Sequence, residues 1–153
     1  MIVIYNSNIL NAKDIYFFNI DIIIQLLDVV NFLHSKNIVH RDIKIENILY
    51  DEMRCKIYLC DYEYCINYYE GGDNTHITPA GTDKYLAPEI TAYNKTINHR
   101  KVDIWNLGIV FFIILSKGNL LTVSEFLQPH IVKKHLLENE YQFISNCFAS
   151  NPS

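Results

Sequence analysis

The chain has 153 residues, of which half are hydrophobic and a fifth are charged, and its formal net charge is -4. A chain of this length and composition can bury one sizeable core, so we expect a single packed domain, and a largely disordered protein is excluded. The small negative charge gives no electrostatic basis for binding nucleic acid or an anionic membrane surface.

The first predicted elements are a short strand and a long helix. The apolar run Ile2–Tyr5 is typical of a strand, and Asn6–Asn11 is a polar connection. Between Ile20 and Leu33, single polar residues recur every three or four positions, which predicts a mostly buried helix with a narrow polar stripe. This stripe, and the lack of a basic leader before the first apolar run, favour a soluble protein over a membrane span or a secretory signal.

A dense group of polar residues follows this helix within an apolar segment. Its members are His40, Arg41, Asp42, Lys44 and Asn47. The runs Asn47–Tyr50 and Lys56–Cys60 flank a polar turn and predict a β-hairpin. Because the two ends of a hairpin lie side by side, Asp61, which follows the second run, is expected beside the polar group.

The second half of the chain begins with a long irregular segment, Asp61 to Glu89, which predicts a functional loop. The run Lys101–Gly118 is apolar nearly all round and predicts a central helix. Weaker helical patterns cover Val123–Leu127 and Ile131–Phe148. We therefore expect a mainly α-helical fold with one small β-hairpin.

The four cysteines could suggest a metal site, because the first three recur every five residues. No Cys-x-x-Cys pair occurs, however, and Cys55 and Cys60 have opposite parity on the predicted second strand, so they would face opposite sides. The sequence thus favours reduced, half-buried thiols in a reducing compartment, the cytoplasm or the nucleus.

The polar group contains the side chains that phosphoryl transfer from ATP requires. This chemistry needs a carboxylate that accepts the proton of the substrate hydroxyl, a cation that neutralises the migrating phosphoryl group, and oxygen ligands for Mg²⁺. In the octapeptide HRDIKIEN, a lysine follows the aspartate by two positions and an asparagine follows it by five. The spacing places all three kinds of group on one short loop.

Three further motifs follow HRDIKIEN in register: Asp61-Tyr62-Glu63, then GTDKYLAPE (Gly81–Glu89), then VDIWNLGIV (Val102–Val110). Together the four motifs resemble the C-terminal lobe of the eukaryotic-like protein kinases. The resemblance covers Ile2 to about Leu115 well. It implies that residues 1–153 form a partial protein kinase domain, with the hinge region and C-lobe present and the N-lobe absent.

The resemblance also implies a role for each matched residue. Asp42 would be the catalytic base, and Lys44 would contact the γ-phosphate of ATP. Asn47 and Asp61 would bind Mg²⁺, so ATP and Mg²⁺ are the expected cofactors. A lysine at this position, with Thr82 after the glycine of the third motif, is similar to the serine/threonine branch of the family, which implies protein substrates.

Other matched residues would regulate or support this site. Arg41 would meet a phosphate placed on the activation loop, where Thr75 and Thr78 are the candidates, although the residues by themselves favour an ordinary loop role for both. His40 would be a packed imidazole, and Asp103 a buried carboxylate that accepts backbone N–H groups of the catalytic loop.

The sequence departs from the family in three places. It contains no G-x-G-x-x-G loop and no strand lysine of the N-lobe type. Glu63 stands where the family has glycine, which would cost roughly 1–2 kcal/mol in backbone conformation; its carboxylate would either repel ATP or add a cation ligand. Glu89 lacks the arginine that is its usual partner near the end of the domain, so we expect a weakened C-terminal end.

Three functions remain open on this basis. The first is a serine/threonine protein kinase that is weak or inactive alone, whose N-lobe would come from another polypeptide or from the rest of a longer reading frame. The second is a pseudokinase-like binding module that docks on a true kinase or its substrate through exposed apolar surface. The third is a gene fragment without function. The hairpin segment is also similar to protein kinases of large insect DNA viruses, such as baculoviruses.

Overall fold

The computed structural model describes residues 12–69, 80–91 and 97–148. In these ranges the chain folds mainly as helices, with two small two-stranded sheets. The predicted strand Ile2–Tyr5, the connection Asn6–Asn11 and the candidate phosphorylation sites Thr75 and Thr78 lie outside the described residues.

The first helix, α1, spans Ala12–Ser35 and ends where the sequence predicted. Its inner face packs on the core through Ile22, Ile23, Leu26, Val30 and Leu33. The prediction of a mostly buried helix was wrong, because the opposite face is exposed and carries apolar side chains, among them Phe17, Ile24 and Phe32. Apolar residues stand on both faces of α1, and periodicity cannot say which face finds a neighbour.

By length and hydropathy alone, α1 could also cross a membrane between Lys13 and Ser35. Core helices of soluble proteins meet the same two criteria. In this fold α1 contacts helix α3, which spans His99–Leu115, and the hairpin that follows it in the chain. We therefore treat α1 as one wall of the core.

The predicted hairpin is confirmed by strands β2, Ile48–Asp51, and β3, Lys56–Leu59. On the inner side Ile48, Ile57 and Leu59 are buried and Tyr50 is half-buried, and the cross-strand pair Leu49–Tyr58 faces outward. Cys55 and Cys60 flank β3 and belong to neither strand, so the alternation of side chains along a strand does not determine which way they face. The four cysteines of the chain are free thiols.

The described parts of the segment from Asp61 to Glu89, residues 61–69 and 80–89, contain more regular structure than predicted. Strand β4, Ile66–Asn67, pairs antiparallel with β1, Ile38–Val39, just before the polar group. A 3-10 turn at Asp83–Tyr85 and the short helix α2, Pro88–Thr91, follow. Strands of two residues show no alternation that a sequence pattern could reveal.

Helix α3 is central, as predicted, and buries thirteen of its seventeen residues. It begins at His99, two residues before the predicted start, because the Asn98 side chain accepts hydrogen bonds from the N–H groups of Arg100 and Lys101. The cap removes two unpaired donors and fixes the first turn of the helix.

The C-terminal part contains α4, Val123–Phe126, α5, Pro129–Lys133, and α6, Glu138–Phe148. The helical pattern predicted over Ile131–Phe148 is therefore interrupted. A new helix starts after the break, where the Glu140 carboxylate accepts a hydrogen bond from the Leu137 N–H at 2.7 Å. Helix α6 packs closely against α3 and completes the core.

Candidate active site

The loop that carries the HRDIKIEN segment is held in place by a fully buried carboxylate on α3. Asp103 accepts hydrogen bonds from the backbone N–H groups of His40, at 2.9 Å, and Arg41, at 2.8 Å. Arg41 has a φ of 69°, a left-handed conformation that costs a non-glycine residue about 1–2 kcal/mol. Two charge-assisted hydrogen bonds next to this residue offset that strain. This is the geometry that the sequence predicted for Asp103.

His40 is fully buried, and both of its ring nitrogens are used. Nδ1 accepts from the N–H of Asp42 at 3.3 Å, and Nε2 lies 3.2 Å from the carbonyl oxygen of Cys60. The ring therefore carries its proton on Nε2 and is neutral, and burial lowers its pKa below the ordinary value. The Tyr62 ring packs on it at 5.0 Å between ring centres. His40 thus joins the loop to the end of the hairpin.

Asp42 lies at the centre of the site and is 2% exposed. One carboxylate oxygen accepts from Lys44 Nζ at 2.7 Å and from Asn47 Nδ2 at 3.3 Å. The other accepts from the Thr82 hydroxyl at 2.7 Å, and Lys44 Nζ also donates to that hydroxyl oxygen at 2.8 Å. Asn47 Nδ2 reaches the backbone oxygen of Asp42 at 2.9 Å. The structure brings together the three loop residues that the sequence singled out.

The charges of this cluster stabilise one another. Burial alone would raise the pKa of Asp42, but hydrogen bonds from Lys44, Thr82 and Asn47, with the nearby ammonium charge, lower it below the ordinary value. The hydrogen bond to Asp42 raises the pKa of Lys44. At neutral pH the site therefore contains a carboxylate and an ammonium ion, which are the charges that a proton acceptor and a phosphate ligand need.

Asn47 and Asp61 lie at the same end of the hairpin, one just before β2 and the other shortly after β3. The amide of Asn47 directs its nitrogen at two acceptors of Asp42, so its oxygen points elsewhere and accepts no hydrogen bond from the described residues. The backbone N–H of Cys60 donates to the backbone carbonyl oxygen of Asn47 at 2.9 Å, which fixes Asp61 next to this turn. The Asp61 carboxylate is exposed. An amide oxygen and a carboxylate fit a hard cation such as Mg²⁺.

The predicted backbone strain at Glu63 was wrong. Among the described non-glycine residues, the left-handed conformations nearest the site belong to Arg41 and Asp61, which has a φ of 66°, and Glu63 has no positive φ. Glu63 lies in an exposed turn, where a side chain meets no steric conflict. Its carboxylate still adds a negative charge two residues from Asp61.

Arg41 and Glu89 are the remaining predicted residues that the structure describes. Arg41 is buried and its Nε donates to the carbonyl oxygen of Tyr64 at 2.8 Å, so its guanidinium lies beneath the segment that leads towards Thr75 and Thr78. Glu89 is half-buried on α2, and it forms no ion pair within the described ranges.

Sequence reasoning missed several contacts that shape the site. It assigned Thr82 to a branch of the family without placing it against Asp42. It also missed His34, whose Nε2 lies 2.8 Å from Asp103 and must donate, since a carboxylate only accepts. The exposed pair Leu49 and Tyr58 forms an apolar surface on the hairpin beside Asn47. Exposed apolar residues at a strand end are the signal that could have identified this surface.

Comparison with known proteins gives independent information on the family of this chain. The family described as the protein kinase domain matches residues 9–152. A putative serine/threonine-protein kinase of Acanthamoeba polyphaga mimivirus is 33% identical over 130 residues, which cover 85% of this chain and 43% of that protein. The expected similarity to baculovirus kinases stays a prediction, although this relative is viral.

Two cellular proteins are also similar. A phosphorylase b kinase gamma catalytic chain of Rattus norvegicus is 35% identical over 124 residues, or 78% of this chain and 29% of that protein. A serine/threonine-protein kinase of Caenorhabditis elegans is 45% identical over 94 residues, or 60% of this chain and 19% of that protein. The chain thus spans less than half the length of these relatives.

Proposed function

The chain belongs to the protein kinase family, and from this premise we propose that it takes part in transfer of the γ-phosphate of ATP to serine or threonine hydroxyls of proteins. The observation that carries the proposal is the buried Asp42 carboxylate, ionised and bonded to Lys44, Thr82 and Asn47. The Asp42 carboxylate is the proton acceptor and the Lys44 ammonium group is the cation that this reaction needs, and the two are in direct contact.

In the proposed reaction, Asp42 orients the substrate hydroxyl and accepts its proton as the phosphoryl group arrives. Lys44 exchanges part of its bond with Asp42 for a bond to the transferred phosphate, which stabilises the charge there. Thr82 keeps the carboxylate aligned while Lys44 moves. Most of the catalysis would come from positioning and charge stabilisation, because the phosphoryl group itself needs little covalent help.

Asn47 and Asp61 are proposed to hold Mg²⁺, and the bound ion would supply positive charge to the phosphates of ATP. The support for this assignment is the pair of oxygen atoms described above, which accept no hydrogen bond from the described residues. The apolar pair Leu49 and Tyr58 is suitable for the flat face of the adenine ring.

The test is phosphate transfer from labelled ATP with Mg²⁺ and a basic protein substrate, measured for the full chain and for Asp42→Asn. The substitution preserves shape and removes the proton acceptor, so we expect the rate to fall about 10²–10⁴-fold. An unchanged melting temperature shows that the variant is folded. Equal rates for the two proteins would contradict the role of Asp42.

The 153 residues by themselves are proposed to transfer phosphate slowly, because they contain no Gly-rich loop and no strand lysine to hold the outer side of the nucleotide. A separate polypeptide that carries these elements should then raise the rate. The comparison is the transfer rate of the chain with and without an added kinase N-lobe; no increase at saturating N-lobe would contradict this part of the proposal.

A second candidate function is a pseudokinase-like module that binds a true kinase or its substrate. The observation that favours it is the exposed apolar face of α1, where Phe17 and Phe32 are each 59% exposed and Ile24 is 51% exposed. Apolar side chains along one helix face are typical of a protein-binding surface. Size-exclusion and pull-down experiments that find only a monomer without a partner would contradict it.

A further inference from the structure

The side chain of Gln25 connects α1 to the hairpin through two hydrogen bonds to the backbone. Its Nε2 donates to the carbonyl oxygen of Cys55 at 3.0 Å, and its Oε1 accepts from the N–H of Ile57 at 3.1 Å. The amide orientation is determined, because the backbone oxygen only accepts and the N–H only donates. Asp21, one turn earlier on α1, accepts from Nε2 at 2.7 Å and fixes the rotamer.

These two contacts occupy the outer edge of β3. Within the described residues, β3 pairs with β2 on one side only, so Gln25 takes the place that a third strand would fill. The other contacts between α1 and the hairpin, such as the edge-to-face packing of Phe18 and Tyr50, are apolar. Apolar contacts permit sliding at little cost, whereas two directional hydrogen bonds fix the hairpin along the axis of α1.

The hairpin carries both proposed cation ligands at its other end. Asn47 directly precedes β2, and Asp61 follows β3 after Cys60. The hydrogen bond from the Cys60 N–H to the backbone carbonyl oxygen of Asn47 keeps the two ends together. A shift of the strands along α1 would therefore act on both ligands, whereas the loop of Asp42 is anchored on α3 through Asp103 and meets the hairpin at the Asn47 amide.

We propose that Gln25 is a positioning residue for the divalent cation site formed by Asn47 and Asp61. The proposal rests on the proposed function, since it needs these two residues to bind the ion. Gln25 contacts neither ligand; it sets the place of the strands that carry them. When a residue contacts a metal-binding side chain directly, its substitution weakens metal binding by about tenfold or more. For Gln25, which acts through the strand, we expect a smaller loss, of about threefold to tenfold.

The test is a titration of the full chain with Mn²⁺ in the presence of ADP, followed by electron paramagnetic resonance of the free ion. The variant is Gln25→Met, which keeps the length of the side chain and its helix propensity but removes the amide. The matched control is Asn31→Met, an amide lost from an exposed position of the same helix. Asp61→Asn is the reference for a damaged site.

A second readout is hydrogen exchange at the Ile57 amide. It reports whether the hydrogen bond from Ile57 to Gln25 is intact, whether or not the chain binds an ion. We expect Gln25→Met to speed this exchange and to weaken Mn²⁺ binding, and Asn31→Met to do neither. Faster exchange with unchanged Mn²⁺ affinity would overturn the positioning role and leave the proposed function intact. No saturable Mn²⁺ binding by the unaltered chain, at any exchange rate, would overturn the cation site itself and with it this inference.

Discussion

At the scale of single residues, the site depends on a carboxylate whose neighbours come from distant parts of the sequence. Asp42 and Lys44 are two positions apart, but the hydroxyl that joins them belongs to Thr82, which is 40 positions from Asp42. The sequence identified both charged groups because their spacing is local. It could not place Thr82, since that contact depends on the path of the intervening loop.

Thr82 should contribute to phosphate transfer through its hydroxyl alone. In Thr82→Val the shape is kept, but Asp42 and Lys44 each lose a hydrogen bond, and a bond to a charged group contributes about 1.5–3 kcal/mol. We expect a fall in kcat of about 10- to 100-fold with little change in KM. Thr82→Ser, which keeps the hydroxyl, should retain most of the activity; equal losses in both variants would contradict this assignment.

His99 should make the fold sensitive to acid. Burial, with the nearby Arg41 charge, lowers its pKa to about 4. The neutral form is therefore favoured in the folded chain. Neutral His99 therefore contributes up to about 3 kcal/mol to the free energy of unfolding. This contribution is fully present above the ordinary histidine pKa, about 6.5, and is lost as the pH falls towards 4. Burial lowers the pKa of His40 as well, which acts in the same direction.

Denaturant unfolding at pH 7.5 and pH 4.5 measures this effect. His99→Leu keeps an apolar contact with Tyr68 and cannot titrate, so its stability should change less between the two pH values than that of the unaltered chain. The residual change in the variant would then include the part contributed by His40. An identical pH dependence in both proteins would show that His99 is not the group responsible.

At the scale of elements, the hairpin was predictable because a polar turn separates its two apolar runs, and α3 because its apolar pattern is long. The contact between α3 and α6 was not, since it depends on one small residue. A Cβ atom on Gly108 would lie 2.7 Å from Cys147 Cβ and 2.8 Å from a ring carbon of Phe148. The sequence pattern of α3 does not show whether this glycine is required for close helix packing or only lowers the helix propensity at its position.

Gly108→Ala should destabilise the fold although alanine is the better helix former. The gain in helix propensity is about 1 kcal/mol, whereas overpacking costs about 1–3 kcal/mol, and here the Cβ of Cys147, which is bonded directly to the backbone, stands in the way. We expect a net loss of about 1–2 kcal/mol in the free energy of unfolding. Asn146→Ala, at an exposed position of α6, is the control and should be neutral or slightly stabilising. A stabilised Gly108→Ala protein would contradict the close packing of the two helices.

At the scale of the whole molecule, one core joins α1, the hairpin and α3. Leu26 lies in this core and is fully buried, while its neighbour Leu27 is 36% exposed. The chain has a single tryptophan, Trp105, buried on α3, so its fluorescence reports on the core without labelling.

Leu26→Ala should lower the free energy of unfolding by about 2–5 kcal/mol, the cost of a buried cavity, and Leu27→Ala by about 1 kcal/mol or less. Trp105 fluorescence and far-UV circular dichroism should give the same midpoint if the described elements unfold together. Equal effects of the two substitutions would mean that the inner face of α1 is assigned to the wrong side.

The sequence by itself determined the family motifs, the groups of the site on one loop, the hairpin and the central helix. Each of these is encoded by neighbouring residues, through spacing, alternation or periodicity. The tertiary structure decided that α1 has an exposed apolar face, that Glu63 adopts an ordinary backbone conformation, that Thr82 joins Asp42, and that Gln25 completes the edge of β3. These features depend on which segments meet in space, and local patterns in a chain cannot specify a contact between residues 30 or 40 positions apart.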